Sequence, residues 1–427
     1  MIKNTGVLHL LSAILCVFLL STNCGTGGEK KEDAGAMLQK ARDLVRVRQY
    51  QSAIEVLERA IVVDPGSFEI HREYIKLITR KGDDGAVKVY ETLVRDHPSD
   101  PLYRLCLSLA EENSDKKEAL VNEALELDPV YYWAVVEKAR LLRNGGDHQG
   151  SIELLQNIVG TMVGVADGAF LLAQVLEEAD RPDEAATVLE KLRSAHDDEK
   201  IRNRASGKLF SLKWEQESRE EAQKLASELL ETVNDPFLLV DIAYTMSETE
   251  NYEVNSIDFF EKAISTSDTV NMRTIYPEAT AGWLQNRSSK NSGFFGEGLG
   301  KVYCDLGRFE EAVPVLEKAK YDLADPYSEV LLYLANAYEG TDRTEEAIAV
   351  LLDLLSRQTH DEAQTLLTEL YSGVHGDSEG LEARIEEARK VFSRKAPDFK
   401  LSDTDGGEFS LDSLKGNVVL LAFWFPT

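Results

Sequence analysis

Cysteine, positive charge and long apolar runs are all in short supply, and each shortage closes off a class of protein. The chain has 4 cysteines in 427 residues. In "LYRLCLSLA" the set Leu102, Leu105, Cys106 and Leu109 has the i, i+3, i+4, i+7 spacing of one helical face, which makes Cys106 a packing residue. Cys304 stands in a similar setting beside Tyr303 and Leu306. A disulfide between them is open to an exported chain, but the length of sequence separating them favours two buried, unpaired thiols. The 47 basic residues face 75 acidic ones, for a net charge of -28. Such a chain repels phosphate backbones and offers no basic stripe for counterion release, so nucleic acid is excluded as a partner. His71, His97, His148, His196, His360 and His375 stand apart with no pair at metal-ligand spacing, so no metal is expected. "GFFGEGLG" at 293–300 has glycines, but no strand precedes it and no Lys-Ser/Thr follows, so it is no phosphate loop and no cofactor is implied.

What is present is an ordinary soluble mixture, 43% apolar and 29% charged, long enough for two or more domains or one long repeat array. The first residues, "MIKNTGVLHLLSAILCVFLL", carry Lys3 and then an apolar run from Val7 to Leu20, broken only by His9 and Ser12. That run matches a signal-peptide core and is shorter than the roughly 20 residues a spanning helix needs, so residues 1–23 are expected to direct export. "LSTNCGTGGEKKEDAG" then resembles a lipoprotein signal: a leucine, small residues, Cys24, and a Gly-rich charged tether over 24–35. Asn23 departs from that pattern, which prefers Gly, Ala or Ser before the cysteine. The resemblance implies lipidation of Cys24 and a membrane anchor facing the periplasm or exterior; a plainly cleaved signal or a short uncleaved anchor is the alternative.

Self-similarity dominates the middle of the chain. Tyr303, Ala312 and Leu316 recur as Tyr338, Ala347 and Leu351, each 35 residues on. "QYQSAIEVLERAIVVDP" returns as "DDGAVKVYETLVRDHP" and "DKKEALVNEALELDP", with Pro65, Pro98 and Pro129 as helix stops. Each unit reads as helix, short turn (marked by Gly82, Gly146, Gly307 or Gly340) and second helix. These residues, with Gly300, Phe309 and Ala319 and the copy at 172–192, resemble tetratricopeptide repeats over 36–372, in eight or nine units. Ala312 and Ala347 are expected where two helices approach closely. Between Thr274 and Gly293 the period is lost, and that stretch reads as an inserted loop or irregular unit. The resemblance implies an all-α solenoid of stacked hairpins whose concave groove holds a protein or peptide client. The groove positions it points to are Phe294, Glu297 and Lys301 in one copy, and Leu332 and Asn336 in the next.

Residues 373–395 read as a linker and a charged helix, "LEARIEEARKVFSRK". Beyond them a strand at Phe399 to Leu401, a turn at Asp405-Gly406-Gly407 and a strand at Glu408 to Leu411 form a hairpin, followed by the apolar run Val418 to Phe425 as a central strand. Over 396–427, Ala396-Pro397-Asp398-Phe399, Ser410-Leu411, Leu414-Lys415-Gly416 and Phe423-Trp424 resemble the opening of the thioredoxin-like redoxins, an α/β family. The resemblance implies a Cys-x-x-Cys directly after Thr427, its first thiolate stabilised by a helix N-terminus and active on disulfides. Two explanations for that boundary stand side by side: the edge of a sequenced fragment or a frameshift, and a UGA codon read as selenocysteine.

Three functions follow: an envelope scaffold whose intact form is a thiol or selenol disulfide oxidoreductase, a scaffold with no enzymatic activity, and a peroxiredoxin-type peroxidase. On the residues present, only binding is supported.

Overall fold

A computed structural model describes residues 33–80, 85–159, 166–392, 399–402 and 407–416. The expected signal peptide, Cys24 and the strand over 418–425 lie outside these residues, as does the turn residue Gly82. Two compact units divide the chain, 1–325 and 326–427.

The first unit is a run of helical hairpins. Helix α1 (Ala34–Arg46) pairs with α2 (Tyr50–Val63), α3 (Phe68–Thr79) with α4 (Gly85–Asp96), and α5 (Pro101–Ala110) with α6 (Ser114–Leu127). The series continues with α7 (Tyr132–Asn144) and α8 (His148–Val159), α9 (Ala166–Glu178) and α10 (Pro182–Ala195), then α11 (Glu199–Glu215) and α12 (Arg219–Thr232). Next come α13 (Pro236–Ser247) with α14 (Glu253–Ser265), a short unpaired α15 (Thr269–Ile275), and α16 (Ala281–Asp305) with α17 (Phe309–Leu323). The architecture is an all-α solenoid.

The turns inside five of these hairpins repeat one local design. The backbone N–H of Gln49 donates to the Leu44 carbonyl, Asp147 to Leu142, Arg181 to Leu176, Ser218 to Lys213 and Arg308 to Tyr303, always five residues back. That bond closes a helix only if the residue just before the donor is left-handed. Arg48, Gly146, Asp180, Glu217 and Gly307 all have φ between 58° and 85°. Glycine is therefore one solution among several, and the other three hold the strained geometry because the turn over-determines it. Entry into helices is set by aspartate followed by proline: Asp100 Oδ1 accepts from the Leu102 N–H at 2.9 Å, and Asp235 Oδ1 from Phe237 at 3.0 Å, with Pro101 and Pro236 opening α5 and α13.

Small residues set how close the helices come. A Cβ on Gly300 would lie 2.4 Å from the Leu316 side chain of α17, and one on Gly293 2.6 Å from Leu323. On the opposite side of α16, a Cβ on Gly298 would meet Phe260 of α14 at 2.6 Å. The glycines of "GFFGEGLG" thus serve close packing of α16 between two neighbours. Ala312 is fully buried, as its close-approach role requires.

Over Thr274 to Gly293 the structure decides between the two sequence readings, an inserted loop and an irregular unit, in favour of the second. Instead of a loop, α15 and a tight turn at 276–280 lead into α16, a single helix of 25 residues that begins at Ala281 and runs straight into the repeat. Thr280 caps it by accepting from the Trp283 N–H. No amphipathic period was visible because α16 buries residues on several sides: Leu284, Asn291, Gly293, Phe295 and Leu299 are all buried.

The second unit opens with α18 (Ser328–Gly340) and α19 (Thr344–Arg357), followed by α20 (Asp361–His375) and α21 (Leu381–Phe392). Gly340 ends α18 as a helical residue, and the left-handed position falls on Asp342, so the glycine expected at this turn is displaced by two. Ala347 is fully buried in α19. The charged helix expected after the linker spans 381–392; it packs on α19 and buries Leu381 and Ile385, in the manner of a further hairpin. Beyond it, β1 (Lys400–Ser402) pairs antiparallel with β2 (Glu408–Ser410), Leu401 opposite Phe409. Ser410 then caps a single turn of 3₁₀ helix at Leu411–Leu414 through reciprocal bonds with Ser413.

Candidate partner-binding groove

The first helices of successive hairpins share an inner face. Arg72 on α3 donates to Asp167 Oδ2 on α9 at 2.7 Å across 95 residues of sequence. Hairpins two and five can touch only if the solenoid curves toward that side, which makes it concave.

Two clefts lie along it. The first, about 130 Å³, is lined by Phe68 and Arg72 of α3, Leu109 of α5, and Trp133, Glu137 and Arg140 of α7. Phe68 and Trp133 lie 4.9 Å apart, ring centre to ring centre, and the Arg72 guanidinium covers both, 5.0 Å from the Trp133 ring centre. Burial works against the charge on Arg72, but Asp167, then Glu73 and Glu69, more than offset it and raise its pKa. Its Nε is buried without a hydrogen-bond partner, since Glu73 stands off at 3.8 Å. The site combines an aromatic floor, a fixed cation and one unused donor, a set suited to a partner's side chain carrying both apolar surface and an acceptor.

The second cleft, about 500 Å³, is built by α9, α11 and α13. Lys200, Arg204 and Lys208 repeat every four residues along α11, a basic row within an acidic chain. Arg204 also stacks on Phe170 at 4.2 Å. Facing the row, burial raises the carboxyl pKa of Glu177, although Lys208 opposes the shift; burial and then Asp235 raise that of Asp241.

The residues singled out from the sequence occupy two separate units. Phe294, Glu297 and Lys301 follow one another along α16; Phe294 is 43% exposed, its carbonyl accepts from Tyr244 at 3.3 Å, and Lys301 pairs with Asp305 at 2.6 Å. On α18, Asn336 is half-buried, whereas Leu332 is 6% exposed and packs in the core. Sequence reasoning passed over Phe68, Arg72, Trp133 and the α11 row. The four-residue spacing of that row was readable; the meeting of α3, α7 and α9 was not. Cys106 is buried and Cys304 half-buried, and no disulfide joins them. Burial pushes the Cys304 thiol to about 12 and Cys106 well above its usual range, so neither is a nucleophile near neutral pH.

Two stretches of the chain, residues 38–101 and 303–370, match the tetratricopeptide repeat family. No curated protein matches the chain significantly. Among solved structures it is similar to a thermophilic tetratricopeptide repeat protein of Thermus thermophilus, at 18% identity and a TM-score of 0.32, over 40% of this chain and 97% of that one. It is similar also to a chain of the APC/C hetero-tetramer Cut9–Hcn1, at 14% identity and a TM-score of 0.34, over 78% of this chain and 55% of that one. A third likeness, at 12% identity and a TM-score of 0.29, is to a chain of Naa15/Naa10 bound to HypK-THB, over 84% of this chain and 63% of that one. The repeated hairpins and the two family matches agree: this chain carries tetratricopeptide repeats.

Proposed function

We propose that the first unit is a scaffold that holds a protein client along its concave face, with the Phe68–Arg72–Trp133 cleft and the α11 basic row as the gripping points. The observation that carries this reading is the inner face itself: the first helices of hairpins two to four line one cleft and those of hairpins five to seven the other, and Arg72 meets Asp167 between them. A client segment with an aromatic or aliphatic anchor near acidic side chains fits both clefts. The test is affinity capture with the immobilised chain, compared with Trp133→Ala and Lys208→Glu. A specific client is lost or weakened at least tenfold by each substitution. Equal capture by all three chains refutes the groove as the binding face.

The finer reading is that the scaffold is exported, anchored through a lipid on Cys24, and that in its intact form a redoxin domain exchanges disulfides on the client. Support comes from the leader-like amino terminus and from the order of residues across the β1–β2 hairpin and the Ser410-capped turn, which follows the opening of thioredoxin-like domains. Mass spectrometry of the mature amino terminus tests the anchor: an unmodified Cys24 removes it. Assay of the natural full-length product on a disulfide and on hydrogen peroxide separates an oxidoreductase from a peroxidase, and activity on neither leaves the scaffold alone.

A further inference from the structure

Residues 269–293 break the repeat pattern, yet they are firmly built. Asp268 caps α15 by accepting from Val270 at 2.7 Å and from Asn271 at 3.1 Å, Asn271 Nδ2 donates to the Asn234 carbonyl at 2.8 Å, and Arg273 donates to the carbonyls of Pro277 and Ala279. Met272, Ala279 and Leu284 form a buried cluster, and its fourth buried member is Val47, from the turn of the first hairpin. Phe237, Ile275, Tyr276 and Trp283 pack around it. Beside it Arg46 Nη1 reaches the Ile275 carbonyl at 3.5 Å, across 229 residues of sequence. A segment with no apolar period of its own is thus ordered by a partner from the opposite end of the unit.

We propose that residues 269–293 are a clasp that fastens the eighth hairpin to the first and closes the coil of the first unit into one bounded turn. Arg46 lies near the end of α1, so the first hairpin contributes a donor to the seam as well as apolar surface from Val47. Resting on the groove reading above, the clasp regulates that same site: a client enters where the seam opens, or threads through the closed turn as an extended segment. The seam is small, a few side chains and one polar contact, and such contacts open locally without unfolding the hairpins they join.

Two experiments on the full chain read the closure without any client, so a failed clasp leaves the groove reading standing, and the reverse. With Gln49, an exposed residue of the first turn, replaced by a photo-crosslinking benzoylphenylalanine, irradiation is expected to yield an intramolecular crosslink to residues 269–293. With Val47→Asp, amide hydrogen exchange over 269–290 is expected to quicken at least tenfold, while α3 to α12 keep their protection. Should Val47→Asp disturb the first hairpin itself, Arg46→Ala repeats the exchange measurement with a milder change and a severalfold effect. Absence of the crosslink, or unchanged exchange over 269–290 in both variants, overturns the clasp.

Discussion

Helices α16 and α18 hold the same place in their respective repeats, with Gly300 and Tyr303 of one recurring as Ala335 and Tyr338 of the other, yet α16 has 25 residues and α18 has 13. Both end alike. Arg308 donates its N–H to the Tyr303 carbonyl and stacks on that ring at 4.7 Å; Arg343 does the same to Tyr338, stacking at 4.3 Å. The turn is local code, copied faithfully. The start is not, because nothing inside the repeat limits how far a first helix extends before it; that length depends on whether there is something to pack against, and α16 has the buried cluster with Val47.

The largest expected effect separates the two repeats by a single side chain. Gly300→Val forces a branched side chain onto Leu316, where a Cβ alone would lie at 2.4 Å. Relieving glycine's backbone entropy returns only about 0.5–1 kcal/mol, so overpacking wins and the loss should be about 3 kcal/mol. Urea unfolding measures it. At Ala335 the residue present already carries the Cβ that Gly300 cannot, so Ala335→Gly should cost only about 1 kcal/mol.

Leu284→Ala removes a 2% exposed side chain from the extension of α16 and should cost about 2 kcal/mol. Hydrogen exchange should place that loss over 269–293. A uniform loss through every hairpin would mean that the extension is integral to the array and that the two first helices differ less than they look.

Protons offer a further way to divide regular hairpins from one another. His71 on α3 is 1% exposed; its Nδ1 sits 2.7 Å from the Tyr90 hydroxyl and its Nε2 2.9 Å from the Pro65 carbonyl. Nε2–H therefore donates to the carbonyl, and Nδ1 accepts from the tyrosine. Burial lowers the pKa of His71 below 6.5, against opposing pulls from Pro65, Asp64 and Asp100. The unfolded chain takes up this proton first, so the contribution is whole above about pH 6.5 and is lost as pH falls from there through the folded value, at no more than about 1.4 kcal/mol per pH unit. Acid unfolding followed by exchange should begin in α3, α4 and α5, and His71→Gln should flatten the slope.

The smallest effect tests the turns. Asp342→Gly relieves a left-handed residue with φ 58° and should gain about 0.5 kcal/mol, while Gly307→Asp at φ 70° should lose about 1 kcal/mol. Equal and opposite results would show that the two turns are interchangeable.

Much of the fold was legible because it is written several times over. The spacing from Tyr303 to Tyr338, the prolines after α2, α4 and α6, and the alanines at close approach each gave the same answer. The candidate site was less legible. Lys200, Arg204 and Lys208 announce a helix face by spacing alone, but nothing in the sequence says that Arg72 meets Asp167 or that Phe68 lies on Trp133. Leu332 was assigned to the groove by its place in the copy, and the structure buries it. A one-position rotation of a helix is enough to exchange inner face for core, and sequence period does not fix rotation that finely.

The amino-acid sequence by itself determined the hairpins, their turns and their helix-to-helix spacing, since these depend on residues within about 35 positions of one another and on steric rules that small residues and left-handed turns satisfy locally. Only the tertiary structure decided how the first unit bends, that α16 begins at Ala281 rather than within the repeat, and that Val47 is sheltered by Met272 and Leu284. Curvature is the sum of small rotations between neighbours, and no single repeat carries enough of it for a sequence to show where the two ends will meet.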